Sequence, residues 1–297
     1  MSIAYLGPEG TFGWRVATRE NPETTFMSCR SHAHVIQAVI AGEAELGYVA
    51  RENSLGGTVV DTVDPLLRNR VGIEMRLDRG KVISSQGDLM VCGEIVLPIE
   101  QCLYGWVDAQ VQRVYSHPQA LAQCEEFLKR RFPEAELIHV NSTIGGVEKL
   151  REDAQGLAIA PPWAVEFYPD IPLLETAIQD ARVNDTRFLV VGQNDCLPTG
   201  RDKTSLWFTV PGDEKPGTFD KVSQVIALAN INKTVIESRP RRTELGKYVF
   251  LVDADAHRLD EIMQLALNLI VLAGHASTLT ILGSYPRWQM DFSTLLQ

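Results

Sequence analysis

Gln179–Gly192, QDARVNDTRFLVVG, runs from a polar loop straight into an apolar strand, Phe188 to Val191. It closes a series of strand–helix units. Directly after it, Gln193–Lys203 (QNDCLPTGRDK) has the composition of a linker. The loop end sets a hydroxyl, Thr186, beside a guanidinium, Arg187, with Asn184 and Asp185 just before them. A hydroxyl able to donate a proton next to a fixed cation suits a small anionic ligand. A strand end that is only capped and solvated would use the same two residue types. The pair alone does not separate these readings, so the rest of the chain must.

Working back from it, the chain reads as repeated βαβ units and hence as α/β with largely parallel sheets. Ile3–Leu6 is a short buried strand followed by the turn Gly7–Gly10, with Thr11 as N-cap of a helix to about Glu20. Ser31 caps a second helix, His32 to Ala41. Its His32 and His34 are two apart and share no helical face, so a metal site there is not expected. Glu45–Ala50 is a strand that delivers Arg51, Glu52, Asn53 and Ser54 at its carboxyl end, where open α/β sheets bind ligands. Ser54 is accounted for as a cap of the helix spanning 58–67; Glu52 and Asn53 are not.

Residues 71–106 read as irregular strands, including Glu94–Ile99. Val111–Tyr115 is a strand leading into Ser116–Cys124 (SHPQALAQC), with Ser116 as N-cap, Pro118 in the first turn and a helix to about Arg131. Ser116 and His117 have no inferable carboxylate partner, so a hydrolase triad is disfavoured. Leu137–Val140 and Gly156–Ala160 are strands. Ser142 and Thr143 open another helix, and Pro161–Trp163 begins a short one. Three hydroxyl-bearing helix starts and two polar strand ends imply a cleft between lobes, where backbone N–H groups can face an anion.

Beyond the linker the pattern is βαββαβ: strand 204–210, helix 216–230, strands 231–238 and 247–252, helix 257–273 and strand 276–282. Leu259, Ile262, Met263, Leu265, Ala266, Leu269 and Ile270 follow the helical period. This is a ferredoxin-like α+β unit, a type that pairs through sheet edges and helices.

Composition sets the outer bounds. The 297 residues are 45% hydrophobic and 22% charged, with net charge −10. The acidic balance argues against nucleic acid and anionic membrane as partners. Five cysteines without a Cys-x-x-Cys pair fit reduced thiols and a cytoplasmic protein. The start, Met1-Ser-Ile-Ala-Tyr, lacks a basic region before an apolar run, so no signal peptide is expected, and no stretch is long and apolar enough for a membrane span.

The ordered set Gly7–Phe12 (GPEGTF), Glu52–Ser54 (ENS) with Gly57, Ser116–Cys124, Ser142-Thr143, Gln179-Asp180 and Asn184 with Thr186–Phe188 (TRF) resembles the prephenate dehydratase catalytic domain. The remainder is similar to an ACT regulatory domain, through Pro216-Gly217 and Ile236–Pro240 (IESRP). The resemblance implies a catalytic domain over 1–192, a linker over 193–203 and an ACT domain over 204–297. The catalytic domain would have two lobes like a periplasmic binding protein, lobe one about 1–75 plus 178–192 and lobe two about 76–177. The implied reaction converts prephenate to phenylpyruvate with loss of water and carbon dioxide, without cofactor or metal.

The same resemblance implies Thr186, Arg187 and Glu52 as catalytic residues, with Thr186 polarising the departing hydroxyl. Thr11, Asn53, Ser54, Ser116, Gln119, Ser142, Thr143, Asn184 and Phe188 would bind substrate. Gly217, Thr218, Phe219, Glu237, Ser238, Arg239 and Pro240 would bind an amino-acid effector such as phenylalanine, in a homodimer or homotetramer joined through the ACT domain. The chain departs from the family at Ala50-Arg51, Gln101, Gly145-Gly146 and Thr218–Asp220. Arg51 reads as an added cation beside the cleft, Gly145-Gly146 as a loosened helix start, and Phe219 with Asp220 as changes in the effector loop. Arogenate dehydration, non-aromatising prephenate decarboxylation and a non-catalytic small-anion sensor are the competing readings.

Overall fold

The computed structural model describes residues 1–20, 24–106, 111–211, 216–240 and 248–288. It begins β1 (Ser2–Leu6), α1 (Phe12–Glu20), β2 (Thr25–Cys29), α2 (His32–Ile40), β3 (Leu46–Asn53), β4 (Gly57–Thr58) and α3 (Val60–Arg68). Four strands follow: β5 (Ile73–Asp78), β6 (Lys81–Gln86), β7 (Met90–Pro98) and β8 (Cys102–Gly105). Alternation resumes with β9 (Arg113–Ser116), α4 (Pro118–Gln123), α5 (Glu125–Arg131), β10 (Glu136–His139), α6 (Thr143–Lys149), β11 (Gly156–Ala160) and α7 (Ala164–Phe167). Then come β12 (Leu173–Glu175), β13 (Asp185–Gly192), β14 (Asp202–Thr209), α8 (Thr218–Leu228), β15 (Lys233–Pro240), β16 (Tyr248–Ala254), α9 (Glu261–Leu272) and β17 (Thr278–Pro286).

These strands make three sheets, so the class is mixed α/β. The first has order β2-β1-β3-β13-β7 with β4 on β3, and β1 runs parallel to both neighbours. Ile3, Ala4 and Tyr5 are all buried, as a central parallel strand covered on both faces requires. The second sheet has order β10-β9-β11-β8-β12, with β9 parallel to β10 and β11 and with β8 antiparallel to β11 and β12. Its two faces carry separate cores, one around Tyr104, Val147 and Leu150 and one around Leu103, Leu121 and Phe127. The third sheet, β15-β16-β14-β17-β5-β6, is antiparallel throughout. It packs α8 and α9 through Phe208, Val222, Ile226, Met263 and Ile270.

The chain divides into two compact units. One comprises Met1–Ala38, Glu43–Val63 and Ile95–Phe188; the other comprises Val39–Gly42, Asp64–Glu94 and Leu189–Gln297. Strands β7 and β13 each begin in one unit and end in the other.

Several sequence expectations change. The irregular stretch after Val71 contains a hairpin, β5–β6, that extends the third sheet beside β17. Its turn is Arg79-Gly80, both at positive φ (46° and 80°), the geometry a two-residue hairpin needs. The strands of the second sheet therefore start at Cys102, well beyond residue 76. Ser116 is not a helix cap: its hydroxyl donates to the Ile159 carbonyl at 2.6 Å, and His117 caps α4. The helix expected to run to Arg131 breaks at Cys124 into α4 and α5. The last helix begins at Glu261 because the Asp260 carboxylate accepts the His257 N–H at 2.8 Å and closes a turn there. Lys247, the expected start of one strand, lies outside the described residues, as do 289–297 of the C-terminal segment.

Candidate active site

A cavity of about 340 Å³ lies in the first unit, walled by residues from both of its sheets. The turn after β1 brings Leu6, Gly7 and Thr11; β3 brings Ala50 and Asn53; β13 brings Thr186 and Phe188. From the other side come His117, Gln119 and Gln123 of the α4 segment, together with Asn141, Ser142 and Thr143 at the start of α6. Trp163 ties the two sides together. Its indole N–H donates to the Gly10 carbonyl at 2.8 Å, and its ring meets Phe12 edge-on at 5.3 Å. Gly7 packs tightly on Ser28, whose hydroxyl oxygen would lie 1.8 Å from a Cβ there and would have to turn away.

The floor is a network of side-chain amides. The Asn53 Oδ1 accepts the backbone N–H groups of Leu55 (3.0 Å) and Gly56 (2.8 Å). That fixes which end of its amide carries the hydrogens. Its Nδ2 then reaches Asn184 Oδ1 at 2.8 Å, Thr186 Oγ1 at 3.0 Å and the Asp185 carbonyl at 3.2 Å. The chain continues from Gln101 Nε2 to Gln123 Oε1 at 3.0 Å and from Gln123 Nε2 to Asn184 Oδ1 at 3.4 Å. Because the Thr186 oxygen accepts from Asn53, the hydroxyl proton is left to point at something else. No acceptor for it is present among the described residues, and Thr186 faces the cavity.

Strand alternation sends Arg187 the other way. Its Nε donates to Glu52 Oε1 at 2.7 Å, and neither residue lines the cavity. Arg51 is also buried and absent from the wall, with Nη1 at 3.3 Å from the Thr58 hydroxyl. The added cation expected beside the cleft is therefore not in it. Among the described lining residues there is no Arg or Lys. The titratable groups of the wall are His32, Asp61 and His117. Burial pushes the His32 imidazole down to about 4, against the pull of the Asp61 carboxylate. Burial first, and His139 second, lower His117.

Of the other residues singled out in the sequence, Thr11, Gln119, Ser142, Thr143 and Phe188 reach the cavity. Thr11 nevertheless directs its hydroxyl at the Leu6 and Pro8 carbonyls, 2.9 Å each. Ser142 caps α6 by accepting the Gly145 N–H at 3.0 Å. Gly146 is required by closeness rather than looseness, since a Cβ would stand 2.8 Å from the Tyr115 carbonyl. Ser54 does not cap the following helix. It clamps the β13 entrance, donating its N–H to the Asp185 carbonyl at 2.8 Å and accepting the Asp185 N–H at 2.9 Å. Asn184 sits in the amide network behind the wall, and Ser116 is a fully buried structural hydroxyl. Gln179 and Asp180 hold the loop, through the Gln101 N–H and the first turn of α5. Sequence reading missed Gln123 and His32; an i, i+4 partner of Gln119 on the same helix start was the available signal for Gln123.

In the second unit, Gly217 takes a left-handed conformation (φ 78°) ahead of α8. The Phe219 ring packs against Phe208 and Phe250, with centroids at 6.2 and 4.9 Å. The bulky ring is thus spent on the core. Glu237 and Arg239 point inward on β15 and pair at 3.1 Å, and Arg239 also meets Asp64 at 3.3 Å; Ser238 and Pro240 are exposed.

The model of the prephenate dehydratase family matches residues 3–196. The chain belongs to that family. It is 34% identical to a prephenate dehydratase of Lactococcus lactis subsp. cremoris, over 96% of this chain and 97% of the relative. It is 35% identical to the bifunctional chorismate mutase/prephenate dehydratase of Aquifex aeolicus, over 97% of this chain and 74% of the relative. Among solved structures, the prephenate dehydratase of Arthrobacter aurescens in complex with L-Phe superposes with a TM-score of 0.80 at 29% identity, covering 97% of this chain and 90% of that one. Among the described residues, no helix is long and apolar enough to cross a membrane.

Proposed function

We propose that the protein is a prephenate dehydratase of L-phenylalanine biosynthesis, a carbon–oxygen lyase that removes water and carbon dioxide from prephenate to leave phenylpyruvate. The observation that carries this reading is the Asn53–Thr186 hydrogen bond at the cavity floor. The ring hydroxyl of prephenate is a poor leaving group until its oxygen receives a hydrogen bond or a proton. Thr186, with its oxygen occupied by Asn53, is set to supply that hydrogen bond. As the C–O bond breaks, the pair of electrons of the ring–carboxylate bond moves into the ring. One proton taken up from solvent leaves with the hydroxyl as water, and aromatisation drives the step. A neutral threonine is a weak acid, so its task is to polarise and orient the leaving oxygen.

With no lysine or arginine among the described wall residues, the dianion would rest on neutral donors and on backbone N–H groups at the start of α1, where Phe12 and Gly13 line the cavity. Arg187 and Glu52 act from behind β13, where their ion pair fixes the strand that presents Thr186. Gln119, Ser142, Thr143 and Phe188 shape the pocket. Non-aromatising decarboxylation would have to avoid assisting the hydroxyl, which argues against it with Thr186 so placed. Purified protein given prephenate should release phenylpyruvate, read as enolate absorbance in base and by mass spectrometry. A product that has lost carbon dioxide but kept the water would overturn the reading.

The domain scheme is part of the same proposal: a two-lobed, binding-protein-like catalytic domain over 1–192, its second lobe centred on the β8–β12 sheet, then an ACT domain from 204. The order β14-α8-β15-β16-α9-β17, with sheet order β15-β16-β14-β17, supports the latter. The L-Phe complex of the Arthrobacter relative supports phenylalanine as effector, held near Gly217, Thr218 and Glu237–Pro240. Ile262, Leu265, Leu269 and Leu272 leave α9 as an apolar stripe 48–64% exposed, which supports pairing of copies through this domain in the cytoplasm. Calorimetry with L-phenylalanine and sedimentation of the intact chain test effector and assembly.

A further inference from the structure

His32 is unused by the mechanism above. It opens α2, lines the catalytic cavity and is 7% exposed. A buried histidine in a protein core normally has a partner for each nitrogen that needs one. Here Nδ1 is sealed from solvent and has no hydrogen-bond partner among the described residues. Nε2 is not so sealed and unpartnered. A bare lone pair sealed from solvent costs less than a sealed N–H with nothing to donate to, because orphaned buried N–H groups are the rarer and more expensive case. The proton of the neutral ring therefore belongs on Nε2, and the ring presents a donor on its unsealed side. Protonating Nδ1 as well would bury a second N–H and a charge, so the ring stays neutral at working pH. Asp61, on α3, is the one other charged residue of the wall that acts on this ring; His117 belongs to the facing α4 segment.

We propose that His32 is a substrate-binding residue, a neutral Nε2–H donor that holds a carboxylate of the bound dianion. The inference rests on the prephenate reading and adds to it a donor that supplies direction without charge. A cavity whose described wall has no lysine or arginine and one carboxylate needs such donors, and hydrogen bonds to an ionised acceptor are about twice as strong as neutral ones. The ring would then tell a substrate carrying a carboxylate at that position from one lacking it. His34, two residues on, has no part in it.

The test uses the intact chain with His32→Phe, which keeps ring volume and removes the donor, and His32→Gln, which keeps an N–H. Expected for Phe is a KM for prephenate raised about tenfold with kcat within about threefold of wild type. Expected for Gln is a KM within about threefold of wild type. Nitrogen-edited NMR at pH 7 should place the His32 proton on Nε2 and show that resonance shifting when prephenate is added. An unchanged KM in His32→Phe, or equal rises in both variants with an unmoved His32 resonance, would overturn the inference while leaving the dehydratase reading intact. Wild-type protein that neither binds nor turns over prephenate would overturn both.

Discussion

The Asn53 side-chain amide donates to the Thr186 hydroxyl oxygen across 3.0 Å, and it can do so in one orientation only because the Leu55 and Gly56 N–H groups occupy its carbonyl end. The direction of this bond sets the direction of the next one. A threonine oxygen that accepts on one side offers its proton on the other, toward the cavity.

Thr186→Ala removes that donor and should lower kcat by about 10²–10³, the order measured for loss of one preorganised donor, with KM within about threefold. Asn53→Asp is the sharper variant. It replaces hydrogens with a lone pair, so the Thr186 proton turns back to the introduced carboxylate and the hydroxyl is lost to the substrate. Its kcat should fall nearly as far as that of Thr186→Ala, and Asn53→Ala should fall less. Steady-state kinetics on prephenate decide the ranking; wild-type turnover in Asn53→Asp would remove the network from the mechanism.

Arg187 is 7% exposed and meets Glu52 at 2.7 Å, with Glu52 itself 34% exposed. Glu52→Gln strips this counter-charge from a buried guanidinium. Removing one partner of a buried ion pair typically costs about 3–5 kcal/mol; the partial exposure of Glu52 places this pair at the lower end of that range or below it. Urea unfolding of the variant should show a reduced midpoint with an unchanged slope. Glu52→Asp, with a shorter reach, should lose less. If the midpoint is unmoved while kcat falls, the pair acts on the chemistry rather than on the strand.

How far the sequence reached depends on the kind of signal each element carried. The βα units around β1, β3, β9 and β11 were legible because apolar runs end in caps and glycine turns, both local. The helix start at Ser142-Thr143 was legible for that reason, and α6 begins there. Ser54 and Ser116 were misread because their hydroxyls bond backbone groups more than 40 residues away in sequence. The β5–β6 hairpin escaped because Arg79-Gly80 is not one of the usual turn pairs and its partner strand, β17, comes some 200 residues later. Thr186 could be singled out from its neighbours, but the opposite orientation of Arg187 follows only once 185–192 is known to be a continuous strand with alternating faces.

The cysteines differ in ways that alkylation can read. Burial raises the Cys29, Cys124 and Cys102 thiols, Cys102 to about 12. Cys92 and Cys196 are neighbours in the second unit, where the Cys196 thiol donates to the Cys92 carbonyl at 3.0 Å. The Cys92 thiol donates to the Val190 carbonyl at 3.5 Å, and its closeness to Cys196 favours the Cys196 thiolate and lowers its pKa, while the same pairing together with burial raises Cys92. Since the thiolate is the nucleophile, Cys196 should react first with iodoacetamide near pH 7, with a rate that levels off at lower pH than for any other cysteine. Peptide mapping after timed alkylation checks the order. Cys92→Ala should slow Cys196 by removing the neighbouring thiol that favours its ionised form.

Lys203 and Glu94 form a buried pair in the second unit, with the ammonium 2.8 and 2.9 Å from the two carboxylate oxygens; Glu94 is also reached by the Trp288 backbone N–H at 3.1 Å. Their side chains are 8% and 2% exposed, so neither charge can be relieved by water. Lys203→Met takes the ammonium away from the carboxylate in a low-dielectric site, which costs about 3–5 kcal/mol. The double variant Lys203→Met with Glu94→Leu removes both charges together and should recover most of that loss, since an apolar pair of similar volume is often as stable as the buried ion pair it replaces. Urea melts of wild type, both single variants and the double measure the coupling. A double variant no more stable than Lys203→Met would mean that the Trp288 N–H and the surrounding packing, and not the ion pair, are what Glu94 sustains.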